Sequence, residues 1–190
     1  MFETFGMNEE RVLALAGLFQ ACALAQQLAN AGVRRLTGPL QVQSADGPAD
    51  AVYPGVWSAR HRGRLFAPLI GPLTLHENVV WFTIRPGTRL GSRAILVDES
   101  PQGISSIVSV TATTRRGRRS RLAFGARPGG GWVVSGTIGQ RAGARRYSAT
   151  ATNPKLVLNA AWAYALRRVG ITWTAAGFPA AGPNTPRVLA

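Results

Sequence analysis

The sequence predicts an α+β protein: antiparallel sheets flanked by an N-terminal and a C-terminal helix, with an inserted β-meander subdomain. Three observations carry that prediction. Helical apolar periodicity is confined to the two ends of the chain, the middle consists of short extended runs broken by Gly and Pro, and 46% of the 190 residues are hydrophobic, enough to bury a core. The length fits one globular domain or two small ones.

The first helix is read from Asn8, which caps it, through Glu9 and Glu10, which favour its positive end, to Gly32, which ends it. Val12, Leu15, Phe19, Cys22 and Gln26 approximate one face. Val12 to Ala25 is nearly all apolar, but Glu3, Glu9 and Glu10 outweigh Arg11 ahead of it. A secretory leader has a positive segment there, so the stretch reads as an amphipathic helix instead. Leu36 to Val42 follows as a strand. Residues 44–74 are rich in Pro, Gly and Ala without a period, and read as a long ordered loop or lid in which Trp57, Leu65 and Phe66 tuck into the core.

Asn78 to Ile84 alternates Val79, Trp81 and Thr83 against Val80, Phe82 and Ile84, a strand covered on both faces, and Arg85-Pro86-Gly87 turns it. Five strands are expected beyond it, near 93–98, 104–112, 119–126, 132–138 and 145–150. Arg115-Arg116-Gly117-Arg118-Arg119 is placed at the tip of one hairpin and Pro128-Gly129-Gly130-Gly131 at the tip of the next. Asn153 then caps a closing helix, Pro154 takes its first turn, and Gly170 terminates it. Leu158, Ala161, Trp162, Ala165, Leu166 and Val169 form its apolar stripe. The expected organisation is an outer α+β domain from residues 1–90 and 140–175, an inserted antiparallel β subdomain over 91–139, and a loose tail over 176–190.

Twenty-two Lys and Arg against eight Asp and Glu leave a net charge of +14, which predicts attraction to polyanions. Lys155 is the sole lysine and no Gly-Lys-Ser/Thr occurs, which excludes a Walker-type phosphate loop. Cys22 stands alone, so neither an intrachain disulfide nor a thiolate cluster can form. His61 and His76 have no acidic partner at a ligand-like spacing, and neither a metal nor a cofactor is expected. No stretch approaches the roughly 20 apolar residues of a membrane span.

Four segments, in order, resemble a known family. Leu24 to Gly38, LAQQLANAGVRRLTG, resembles the helix and strand with a GVRRxxG turn in the D-alanyl-D-alanine carboxypeptidase/endopeptidase family, the S13 penicillin-binding proteins. Phe66 to Val80 is similar to its APVSALxxNEN segment, with His76 in place of the first Asn. Val133 to Ile138 resembles its VSGxIP strand, and Asn153 to Ile171 its DPAxYxxxxLxxxLxxxGI helix, with Asn153 for Asp. The resemblance spans roughly residues 23 to 173 and implies the non-catalytic insertion of that family, an extracytoplasmic, periplasmic α+β region between the first two catalytic motifs of a serine peptidase. It implies partners too: peptidoglycan or another cell-wall polyanion, and a separate or missing peptidase domain.

Family chemistry rests on Ser-x-x-Lys, Ser-x-Asn and Lys-Thr-Gly. None of them occurs here, and Thr152 stands where a serine would precede Lys155. No catalytic residue is carried over, and the chain by itself is expected to be inactive, a fragment or degenerate relative that scaffolds or contacts the wall. The candidate polyanion contacts are Arg115, Arg116, Arg118, Arg119 and Arg121. His76, Glu77 and Asn78 read as a structural hydrogen-bond knot in preference to an acid–base pair. Core packing accounts for most of Trp57, Trp81, Trp132, Trp162 and Trp173, ahead of stacking on sugars or bases. The alternative is a basic nucleic-acid-binding protein using the Arg115 to Arg121 hairpin, although no recognised binding module accompanies it.

Overall fold

In the computed structural model, which describes residues 18–38, 51–71 and 74–174, helix α1 runs over Leu18–Asn30 and is built mainly of Ala, Leu and Gln, all good helix formers. Gly32 ends it at φ 88°, where the left-handed backbone favours glycine. Val33 N–H donates to Leu28 O at 3.0 Å and Gly32 N–H to Ala29 O at 3.1 Å, the Schellman pattern. The buried face is Ala21, Ala25 and Leu28, whereas Cys22 is half-buried and Gln26 exposed. The expected stripe is thus one residue off, a rotation of about 100°, because the small alanines let α1 lie close against the last helix. The expected start at Asn8, Glu9 and Glu10, with Val12 and Leu15, lies outside the described residues.

Strand β1, Arg35–Thr37, follows directly; the expected continuation to Val42 lies outside the described residues. Residues 51–71 close on themselves through paired Val52–Ile70 backbone bonds of 2.8 Å and a short 3-10 turn over Ala59–His61. Here the expectation of core residues fails. Phe66 is 71% exposed and Leu65 46%, while Trp57 is half-buried, edge-on to Tyr53 at 5.7 Å. Apart from Ala67, the segment sends no side chain into the core, because its pairing is to itself.

The central strands are β2 (Val79–Arg85), β3 (Ile95–Ser100), β4 (Val108–Val110), β5 (Thr113–Arg115), β6 (Arg121–Ala126), β7 (Trp132–Gly139) and β8 (Arg145–Thr150). One sheet has the order β3-β2-β8, antiparallel throughout, with Phe82 opposite Glu99 on one side and Tyr147 on the other. The strand expected over 104–112 is a 3-10 turn (Ile104–Ile107) followed by β4. β4 and β5 lie along the same edge of β7 in one register, Val108 opposite Trp132 and Thr113 opposite Thr137, and they run parallel to it. They form one strand, interrupted at Thr111 and Ala112, whose N–H groups both donate to Val134 O. β6 pairs antiparallel on the other edge of β7, through the turn at 127–131.

The antiparallel meander expectation is therefore corrected at two points: β4 and β5 run parallel to β7, and β5 and β6 are not hairpin partners but flank it. Alternating apolar and polar residues fix an extended conformation without fixing its neighbour.

Helix α2, Pro154–Arg168, begins where Asn153 Oδ1 accepts Leu156 N–H at 3.1 Å. It ends in a second Schellman turn, with Ile171 N–H on Leu166 O at 2.9 Å and Gly170 at φ 77°. Strand β9, Thr172–Thr174, then pairs parallel with β1, so each helix leads through a glycine into one strand of this small sheet. Two apolar clusters result. Val80, Phe82 and Ile84 of β2 pack with Trp132, Val134 and Ile138 of β7 and with Val157 and Ala161 of α2. Ala21, Ala25 and Leu28 pack with Leu158, Trp162 and Leu166 on the other side of α2. The expected boundary at residues 90/91 falls in the connection between β2 and β3, which are hydrogen-bonded neighbours. The expected tail over 176–190 lies outside the described residues.

Candidate functional site

The arginine segment is not a hairpin tip. It crosses from one edge of β7 to the other over the end of that strand. Gly139 N–H donates to Ser120 Oγ at 3.2 Å, Gln140 N–H to Arg115 O at 2.7 Å and Arg141 N–H to Gly117 O at 2.9 Å. A Cβ on Gly139 would stand 2.6 Å from Gly117 O and 2.7 Å from the Arg118 carbonyl carbon, so only glycine lets the loop lie this close. Arg115, Arg116, Arg118, Arg119 and Arg121 are all exposed, and only Arg115 bonds within the loop, through Nε to Arg119 O at 3.4 Å. None of the five meets a carboxylate among the described residues.

His76, Glu77 and Asn78 form a turn of three consecutive left-handed residues, at φ 50°, 55° and 56°. Asn78 is buried; its Nδ2 donates to Leu69 O at 2.8 Å, its N–H to Leu75 O at 2.9 Å, and its carbonyl accepts Ala151 N–H at 2.7 Å. His76 and Glu77 are exposed. The His76 ring touches Ser100 Oγ through Nδ1 at 3.3 Å, but no carboxylate among the described residues orients the ring, so the pair lacks the third member that activates a serine.

Lys155 lines an open cleft of about 430 Å³ with Arg127, Gly130, Thr152, Asn153 and Leu69. Thr152 precedes the helix and Lys155 lies in its first turn. A nucleophile and its lysine in Ser-x-x-Lys share a helix face; here Pro154 at the helix start separates the two positions. Trp132 and Trp162 are buried, and Trp57, Trp81 and Trp173 half-buried; Trp173 Nε1 donates to Gly38 O at 3.1 Å and Arg146 stacks over Trp81 at 4.5 Å. No group of three metal-ligating side chains occurs among the described residues, and no helix there is long and apolar enough to cross a membrane.

Glu99 is a residue that sequence reasoning missed. Its Oε1 accepts Gly103 N–H at 2.6 Å and Ser105 Oγ at 3.1 Å, while Oε2 is buried without a partner beside a cleft of about 380 Å³. The signal was the acidic pair Asp98-Glu99 just ahead of Pro101 and Gly103, the composition of a turn that a carboxylate ties down.

The comparisons point one way. The family model of D-Ala-D-Ala carboxypeptidase 3 (S13) matches residues 18–190. Among solved structures, penicillin binding protein 4 from Haemophilus influenzae matches with a TM-score of 0.56 at 13% identity, over 84% of this chain and 35% of that one. The same protein complexed with a novel β-lactam matches with a TM-score of 0.49, again at 13% identity, over 84% and 32%. The chain thus spans about a third of the solved protein it matches in fold. No curated protein matches the sequence. Nothing in these matches supports the nucleic-acid reading, whereas the family match covers more than half of the residues and, among the described residues, both α-helices and every strand. The chain belongs to the D-Ala-D-Ala carboxypeptidase 3 (S13) family.

Proposed function

We propose that these residues are the accessory α+β region of a serine-type peptidoglycan D-Ala-D-Ala carboxypeptidase, working outside the cytoplasm and leaving acyl transfer to a peptidase domain. The observation that carries the reading is the match over residues 18–190 in a sequence with no Ser-x-x-Lys, Ser-x-Asn or Lys-Thr-Gly. Acyl transfer needs a nucleophile whose proton is taken by a neighbouring base. Among the described residues Ser100 with His76 is the nearest approach to that, and no carboxylate there orients the ring.

The segment 51–71 supports a partner domain. Val52, Val56, Phe66 and Ile70 are between 47% and 93% exposed on a short stretch of chain, the kind of apolar surface that a neighbouring domain covers. Wall contact is the second part of the proposal, with peptidoglycan as the partner. Purified chain is expected to release no D-alanine from a peptide ending in D-Ala-D-Ala and to sediment with purified peptidoglycan. Release of D-alanine contradicts the first part, and failure to sediment contradicts the second.

A further inference from the structure

The loops at one end of both sheets carry an uncompensated positive surface. β7 ends there at Gly139, paired with Arg115 of β5, and β2 ends there at Arg85, opposite Ile95 of β3. Thr114 joins the two sheets at this end. It accepts Gly91 N–H at 2.8 Å through its carbonyl and Gly87 N–H at 2.8 Å through Oγ1, and it donates its own N–H to Ser92 O at 2.8 Å. The arginine crossover is therefore flanked by Arg89 and Arg93 of the 86–94 loop and by Arg141 and Arg145 of the connection to β8, all exposed. Residues 85–93, 113–121 and 139–146 contain no Asp or Glu, and none of these arginines has a carboxylate partner among the described residues.

At the same end a turn holds an apolar tip outward. Ser92 Oγ donates to Arg89 O at 2.6 Å and Ser92 N–H to the same carbonyl at 3.1 Å, with Gly91 at φ 81°. Leu90, at the turn's apex, is 49% exposed and stands between Arg89 and Arg93.

From this juxtaposition we propose that the arginine end of the two sheets, tipped by Leu90, docks on the anionic phospholipid headgroups of a bilayer. Guanidinium groups bind phosphate bidentately, clustered basic residues are drawn to an anionic surface, and an exposed leucine among them gains by entering the headgroup boundary. A nucleic acid is the poorer fit, since the three loops offer no aromatic ring for a base. The inference does not depend on the peptidase reading.

The test is co-sedimentation of the full chain with vesicles of phosphatidylglycerol and phosphatidylcholine against vesicles of phosphatidylcholine alone. Binding is expected only to the anionic vesicles, weakening as salt rises. Arg116→Ala/Arg118→Ala/Arg119→Ala is expected to lower the partition coefficient roughly a hundredfold at low salt. Arg60→Ala/Arg62→Ala/Arg64→Ala removes equal charge beside the far end of β8, where Thr150 Oγ1 meets Gly63 O, and is expected to change little. Arg141→Ala/Arg145→Ala gives a second reading should the first variant fold poorly, which circular dichroism will show. Leu90→Ser is expected to weaken vesicle binding several-fold at moderate salt without altering retention on immobilised polyphosphate. No binding to anionic vesicles, equal losses in both triple variants, or unchanged vesicle binding by Leu90→Ser would each overturn the proposal, the last in favour of a soluble polyanion.

Discussion

Asn78 closes a turn that the backbone resists, since each residue in the left-handed region is disfavoured by about 1–2 kcal/mol. His and Asn are among the types that enter this region most readily, which gives a physical reason why His76 can stand where the family pattern has Asn. What holds the turn is the buried amide: Nδ2 on Leu69 O, with the backbone of Asn78 tied to Leu75 and Ala151. Asn78→Ala removes a buried donor from a carbonyl and adds left-handed strain, so urea denaturation is expected to show a loss of about 2–3 kcal/mol. Glu77→Gly, at an exposed position of the same turn, is expected to change stability by less than about 1 kcal/mol, relief of strain offsetting a freer unfolded chain. A loss from Glu77→Gly as large as that from Asn78→Ala would mean that the turn is held by something other than the Asn78 amide. The motif was visible in the sequence, but its division into one buried anchor and two exposed residues was not, because that follows from contacts with Leu69 and Ala151, which lie outside the motif.

At the scale of elements, both ends of α2 and the glycine stop of α1 were legible, because Asn153-Pro154, Gly170 and Gly32 act within a few residues of themselves. The β6–β7 hairpin was legible for the same reason, its turn being Pro128 and three glycines. The pairing of β4 and β5 with β7 was not, since parallel partners are set by contacts across the chain and leave no turn signature. Nor was the outward face of 51–71, whose apolar residues look like core until their pairing is known. The crossover makes its own prediction. Gly139→Ala puts a methyl group against the backbone of Gly117 and Arg118, and is expected to destabilise by about 1–3 kcal/mol and shift the amide resonances of residues 115–120. Were the arginine segment a free hairpin tip, those resonances would not move.

The whole molecule combines a family fold, a net charge of +14 and no acylating motif. Charge and motif absence were plain from composition, whereas the gathering of Arg89, Arg93, Arg141 and Arg145 around the 115–121 crossover needed both sheets in place. The most direct measurement is the intact mass of the purified chain after incubation with benzylpenicillin. An unchanged mass is expected, because no serine in these 190 residues sits three positions before a lysine. A gain of one penicilloyl group, mapped to any serine or threonine, would contradict the account.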